Sequence, residues 1–116
     1  MPIERIQCGP RMSQAVIHNG VVYLAGQVAL TARKGGVAEQ TQEVLSRIDS
    51  LLAEAGTDKS KLLSATIYLP DMKNFAEMNA VWDGWVSAGN TPARATVEAG
   101  LAAPQYGVEI MVIAAK

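Results

Sequence analysis

Two side chains near the C-terminus carry the chemistry this sequence offers: Arg94, in Pro92-Ala93-Arg94-Ala95-Thr96-Val97-Glu98, and Glu109, in Val108-Glu109-Ile110-Met111-Val112-Ile113-Ala114. Both runs read as strands, and the second is apolar on both faces apart from its one acid. An ionisable group in such surroundings is costly to desolvate unless it is paired or does chemistry. The strand period of two sets Arg94, Thr96 and Glu98 on one face, so a planar two-pronged donor stands beside a hydroxyl. That arrangement suits recognition of a small carboxylate. Glu109 shares its face with Met111 and Ile113, surroundings in which a carboxyl group is suited to hold or activate a water. Two plainer readings stay open at this level. Arg94 could form a structural ion pair with Glu98 or Glu109, and Glu109 could be a solvent-facing acid on an edge strand.

Other chemistries find little support. The sequence has no P-loop, Rossmann glycine fingerprint, HExxH or CxxC, and its one histidine, His18, rules out a histidine-pair metal site within one chain. No cofactor or metal is therefore expected. His18 stands beside a turn signal and reads as an exposed strand residue rather than a base. Cys8, the one cysteine, has no neighbouring base and reads as a bystander thiol; it cannot form an internal disulfide, which fits a reducing compartment. Ser13 lacks the G-x-S-x-G context of a serine hydrolase. Ten Lys+Arg against eleven Asp+Glu give a net charge of -1 with the basic residues scattered, which argues against a nucleic-acid partner. The N-terminal segment lacks a signal-peptide core and no apolar stretch approaches the roughly 20 residues that span a bilayer, so a cytoplasmic protein without a membrane partner is expected.

At 116 residues and 49% hydrophobic, the chain suits a single domain over residues 1–116. The elements that must position Arg94 and Glu109 are legible from pattern. Ala15 to His18 and Val21 to Ala25 flank Asn19-Gly20, the strongest short hairpin signal, and Ile3 to Gln7 alternates as an added edge strand. Val44, Ile48, Leu51, Leu52 and Ala55 predict a helix over residues 38–55, stopped by Gly56. Phe75, Met78, Trp82 and Trp85 form the stripe of a second helix over residues 74–87, with Asn74 and Glu77 resembling a capping box. Trp82 and Trp85 read there as core and interface anchors rather than a ligand-stacking pair. Leu62 to Leu69, Ala93 to Glu98 and Val108 to Ala114 complete the strands. The order βββαβαββ, joined by the short Thr31 to Gly36 connection, predicts an α+β fold whose mixed β-sheet carries two helices on one face. The last strand and Leu62 to Leu69 are apolar on both sides, so the uncovered face is expected to pack against another subunit.

The segment from Pro92 to Ala102 followed by Val108-Glu109-Ile110 resembles the C-terminal signature of the Rid family, also known as the YjgF or RidA family. Gln14, Ala25-Gly26-Gln27 and Phe75-Ala76-Glu77-Met78-Asn79-Ala80-Val81-Trp82 extend that resemblance over nearly the whole chain. The Trp82-Asp83-Gly84-Trp85-Val86 and Gly100-Leu101-Ala102-Ala103-Pro104 patterns are more similar to the YoaB-type branch. The resemblance implies a chorismate-mutase-like fold, a homotrimer with sites between subunits, and cofactor-free hydrolysis of enamines and imines such as 2-aminoacrylate to 2-keto acids and ammonia. It assigns Arg94 to the substrate carboxylate and Glu109 to the attacking water. Thr96 matches a position whose backbone helps hold the ligand, and Gly26 and Asn79 match lesser pocket positions. The sequence departs from the central branch at Met12, where a tyrosine is usual, and at Ala25, where a serine is usual. Tyr106 is a candidate replacement for the lost phenol. The departures leave a rival reading, a non-catalytic trimeric binding module for small carboxylate metabolites.

Overall fold

Asn19 and Gly20 take positive φ values of 52° and 75°, the conformation a two-residue hairpin turn requires, and thereby join β2 (Ser13–His18) to β3 (Val21–Leu24). The structure, a computed structural model, describes residues 2–32 and 35–116; Met1, and Arg33 and Lys34 of the Thr31 to Gly36 connection, lie outside them. Ahead of the hairpin, β1 (Glu4–Cys8) pairs antiparallel with β2 as the expected edge strand. The chain then forms α1 (Val37–Glu54), β4 (Leu62–Leu69), α2 (Phe75–Trp85), β5 (Ala93–Glu98) and β6 (Glu109–Ala115). These make one six-stranded sheet in the order β1-β2-β3-β6-β4-β5. Only β4 and β5 run parallel, and a parallel pair needs a crossover, which α2 supplies.

The core lies between the sheet and the helices. Ile67 and Leu69 of β4 with Ile110 and Val112 of β6 are fully buried against Val44, Ile48 and Leu52 of α1 and Met78 of α2. Burial of each such side chain contributes roughly 1.5–3 kcal/mol. The alternate residues of the same strands, Thr66, Tyr68, Met111 and Ile113 among them, point to the other face, which neither helix covers. Tyr23 and Val97 on that face are 46% and 42% exposed.

Helix ends differ in one respect from the sequence expectation. Asn74 makes no side-chain cap, because the chain enters α2 through a 3-10 turn at Met72–Asn74 that is capped by Asp71. Glu77, the expected partner of Asn74, instead accepts a 3.0 Å hydrogen bond from the Ala38 N–H and so caps α1. The preceding residue Gly36 has no side chain to do this. Extended Val86 ends α2 one residue after Trp85. At the other end of α1, Gly56 with φ +84° turns the chain, as expected.

Glu43 of α1 anchors the loop after β3. Its carboxylate accepts from Thr31 Oγ1 (2.5 Å) and from the Leu30, Thr31 and Ala32 N–H groups (2.6, 3.1 and 2.7 Å). The Thr31 hydroxyl above all, joined by these backbone donors, lowers its pKa from 4.5 to about 2 in spite of burial, which acts in the opposite direction. A folded-state pKa below the unfolded value stabilises the fold above the unfolded value and loses that contribution as pH falls. Thermal melts from pH 7 down to pH 2 should show stability declining between about 4.5 and 2, and Glu43→Gln should be less stable at neutral pH with a shallower decline. An unchanged acid profile in Glu43→Gln would exclude this role.

Candidate active site

Register decides where Arg94 and Glu109 point. Arg94 and Thr96 lie opposite Ala65 and Ile67 of β4, both buried beneath the helices, so the two side chains share the helix-side face. Glu109 lies opposite Tyr68, and its neighbour Ile110 is the buried one. Glu109 therefore projects from the open face. One copy of the chain does not bring the guanidinium and the carboxylate together, because residues of opposite parity stand on opposite sides of a sheet.

Arg94 is held by α2. Its Nη1 donates a 2.7 Å hydrogen bond to Asn79 Oδ1. Its guanidinium carbon lies 5.8 Å from the Phe75 ring centre and 5.4 Å from that of Trp82. Thr96, on the same strand face, has a buried Oγ1 with no hydrogen-bond partner. Leaving a buried hydroxyl unpaired costs about 1–3 kcal/mol, and no described residue offsets that cost here. The ion-pair alternatives do not form. Glu98 Oε1 accepts from the Met72 N–H at 2.9 Å instead, and Glu109 faces the other way.

Glu109 opens β6, a strand in the middle of the sheet rather than at an edge, and is half-buried. Gly26 lies directly beneath its side chain: a Cβ there would fall 2.9 Å from Glu109 Cδ and closer still to Oε2. Gly26 is fixed by its neighbour Gln27, whose N–H and C=O exchange hydrogen bonds of 2.9 and 3.1 Å with Ile110. The Gln27 side chain is buried and bonds Gln14 Oε1, Ala25 O and Arg47 Nε. Another buried amide, Gln40, ties the segment leading into β6 to α1, donating to Gln105 O (3.1 Å) and accepting from the Gly107 N–H (2.8 Å). Sequence reading gave neither amide a role, although Gln27 stands in the Ala25-Gly26-Gln27 motif. For Gln40 the signal was a glutamine at a position where helical period places an apolar residue.

The remaining candidates stand apart. His18 is half-buried on the open face beside the hairpin turn, with no partner for Nδ1 among the described residues, and Cys8 is an exposed free thiol. Met12 is 48% exposed. Trp82 is buried and meets Trp85 at 5.3 Å between ring centres, so it is a core anchor as expected but also a neighbour of Arg94. Two cavities of about 380 and 600 Å³ flank α1, one against β1 and β2 and one against α2, and neither includes Arg94 or Glu109. Among the described residues, no cluster of His, Cys, Asp and Glu could hold a metal ion and no helix is long and apolar enough to cross a membrane.

Comparison with known proteins agrees with this architecture. The family model described as endoribonuclease L-PSP matches residues 3–116. A RutC family protein of Haemophilus influenzae is 49% identical over 114 residues, covering 98% of both chains. The RutC family protein YoaB of Escherichia coli is 45% identical over 115 residues, covering 99% of both. A crystal structure of a YjgF family member from Neisseria meningitidis superposes with a TM-score of 0.96 at 52% identity, covering 100% of this chain and 96% of the other. With the fold, the C-terminal signature and full-length relatives in agreement, the chain belongs to the endoribonuclease L-PSP family, the YjgF/RidA proteins, as its C-terminal residues indicated.

Proposed function

We propose that the protein is a cofactor-independent enamine and imine deaminase acting on small 2-imino acids such as the tautomer of 2-aminoacrylate. The observation that carries this reading is an arginine with in-plane donors to spare. Asn79 takes one Nη1 hydrogen of Arg94, while the Nε and Nη2 edge has no partner among the described residues, and such an edge matches a carboxylate with two parallel hydrogen bonds. The site is completed between subunits: the open sheet face of one copy supplies Glu109 and Gly26, and a neighbouring copy supplies Arg94, Thr96 and Asn79. A homotrimer closed through the open faces satisfies both the apolar surface left by the helices and the opposite orientation of the two charged residues.

In that site Arg94 holds the substrate carboxylate and Glu109 orients a water toward the imine carbon. The water oxygen bonds to that carbon as Glu109 accepts one of its protons, giving a carbinolamine. That proton passes to the nitrogen, and as the carbon–nitrogen bond breaks the carbinol hydroxyl gives up its own proton to the nitrogen, so that a 2-keto acid and ammonia leave. Water is the only co-reactant. Arg94 contributes positioning, and Glu109 contributes orientation and proton transfer.

The exposed apolar side chain of Met12 and the lack of a hydroxyl at Ala25 favour a second reading, capture of small carboxylate metabolites without turnover. Ribonuclease activity, which the family's name carries, draws no support from a net charge of -1.

Ammonia release from freshly generated 2-aminoacrylate should be accelerated by the intact chain. Arg94→Ala and Glu109→Ala should each lower kcat/KM by about a hundredfold or more. Co-refolding the two variants at equal ratio should restore about a quarter of the sites, because half of each site comes from a different copy. No recovery on mixing would exclude the shared site, and binding without turnover by the intact chain would favour the capture reading.

A side chain at position 26 should push Glu109 aside. Gly26→Val is expected to lose turnover while retaining its thermal midpoint within a few degrees and still binding pyruvate, a test that fails if turnover persists. Ile113→Glu, which sets a charge on the open face, should convert the trimer to monomers in sedimentation; an unchanged trimer would place the interface elsewhere.

A further inference from the structure

Phe75, Asn79 and Trp82 stand at i, i+4 and i+7 of α2, one stripe of a helix that spans about 10 Å along its axis. The Arg94 guanidinium lies across this stripe, with its carbon 5.8 Å from one ring and 5.4 Å from the other and its Nη1 on the amide between them. The cation is thus within reach of two ring faces at once. We propose that Phe75 and Trp82 are positioning residues that fix the plane of Arg94, so that its Nε and Nη2 edge is presented to the ligand carboxylate. The inference rests on the reading of Arg94 as the carboxylate clamp.

Ring faces suit this task for an electrostatic reason. An acid partner would occupy the same in-plane donors that the ligand needs, and the ligand would have to displace it. Aromatic faces attract the cation without accepting its hydrogen bonds in the way a carboxylate does, and so leave its donors for the ligand. Asn79 adds a directional contact at the one nitrogen that does not belong to the free edge, which stops rotation about the end of the side chain. The two rings are not equivalent. Trp82 is buried in the core and continues to Trp85, whereas Phe75 is 36% exposed at the rim of the helix. Phe75 can therefore be altered with little effect on packing, and it is the residue to test.

Pyruvate serves as the probe, a 2-keto acid with the carboxylate but no imine to hydrolyse. In a Trp85→Phe background, Trp82 is the one tryptophan, and pyruvate binding should change its emission. Phe75→Leu should weaken pyruvate binding and raise KM by about tenfold, with kcat nearly unchanged, and Phe75→Tyr should restore both. Sedimentation and thermal melts of the variants should match the intact chain. If Arg94→Ala abolishes pyruvate binding while Phe75→Leu binds as the intact chain does, the inference falls and the role of Arg94 stands. Pyruvate binding that survives Arg94→Ala, or is absent from the intact chain, overturns both. Binding that depends on Phe75 and Arg94 without any turnover supports the inference and removes only the deaminase reading.

Discussion

The alternation of side chains across β5, β4 and β6 is the constraint on which the site depends. Ala65 and Ile67 of β4 face the helices, so their partners Arg94 and Thr96 do too, while Tyr68 and its partner Glu109 face away. A slip of one residue would reverse every one of these assignments. It would also turn Ile67, Ile110 and Val112 out of the core, at roughly 1.5–3 kcal/mol each, a large share of the about 5–15 kcal/mol that holds a domain together. The apolar core thus enforces the separation of the two charged groups within one chain.

Two buried amides convey that rigidity to the irregular segments around Glu109. Gln27 fixes Gly26 beneath the carboxylate by pairing its backbone with Ile110 and its side chain with Gln14, Ala25 and Arg47. Gln40 fixes the approach to β6 through Gln105 and Gly107. An apolar residue at either position would fill the space but leave buried backbone groups unpaired, at about 1–3 kcal/mol for each. Segments without regular structure are held in this way by side chains of α1.

Much of the fold was legible because its signals are local. Asn19-Gly20 specifies its hairpin through the positive φ that both residues adopt, Gly56 specifies the end of α1 in the same way, and the stripes of α1 and α2 follow from helical period alone. The face of Arg94 and Thr96 followed equally from the period of two. What the sequence did not disclose depends on long-range geometry. Glu77 caps α1 across a separation of 39 residues, and no pattern within α2 distinguishes this from the capping box that Asn74 and Glu77 resemble. The central place of Glu109 in the sheet requires β6 to insert between β3 and β4, a choice of strand order that alternation does not encode. Nor could the stripe of Phe75 and Trp82 reveal that it borders an arginine from β5 as well as the core.

An arginine kept for a ligand must be stabilised in its absence without being neutralised. Near Arg94 the obvious acids are withdrawn: Glu98 is engaged by the Met72 N–H, and Glu109 stands on the far side of the sheet. An ion pair at this position would have to be broken before a carboxylate could bind, and hydrogen bonds to charged groups are worth about 1.5–3 kcal/mol each. Contacts with ring faces are weaker, about 0.5–2 kcal/mol, and need not be broken at all. The same choice explains why the aromatic stripe lies on α2, the crossover between β4 and β5. That helix joins the two strands of the parallel pair, and the connection brings Phe75, Asn79 and Trp82 within reach of the Arg94 guanidinium.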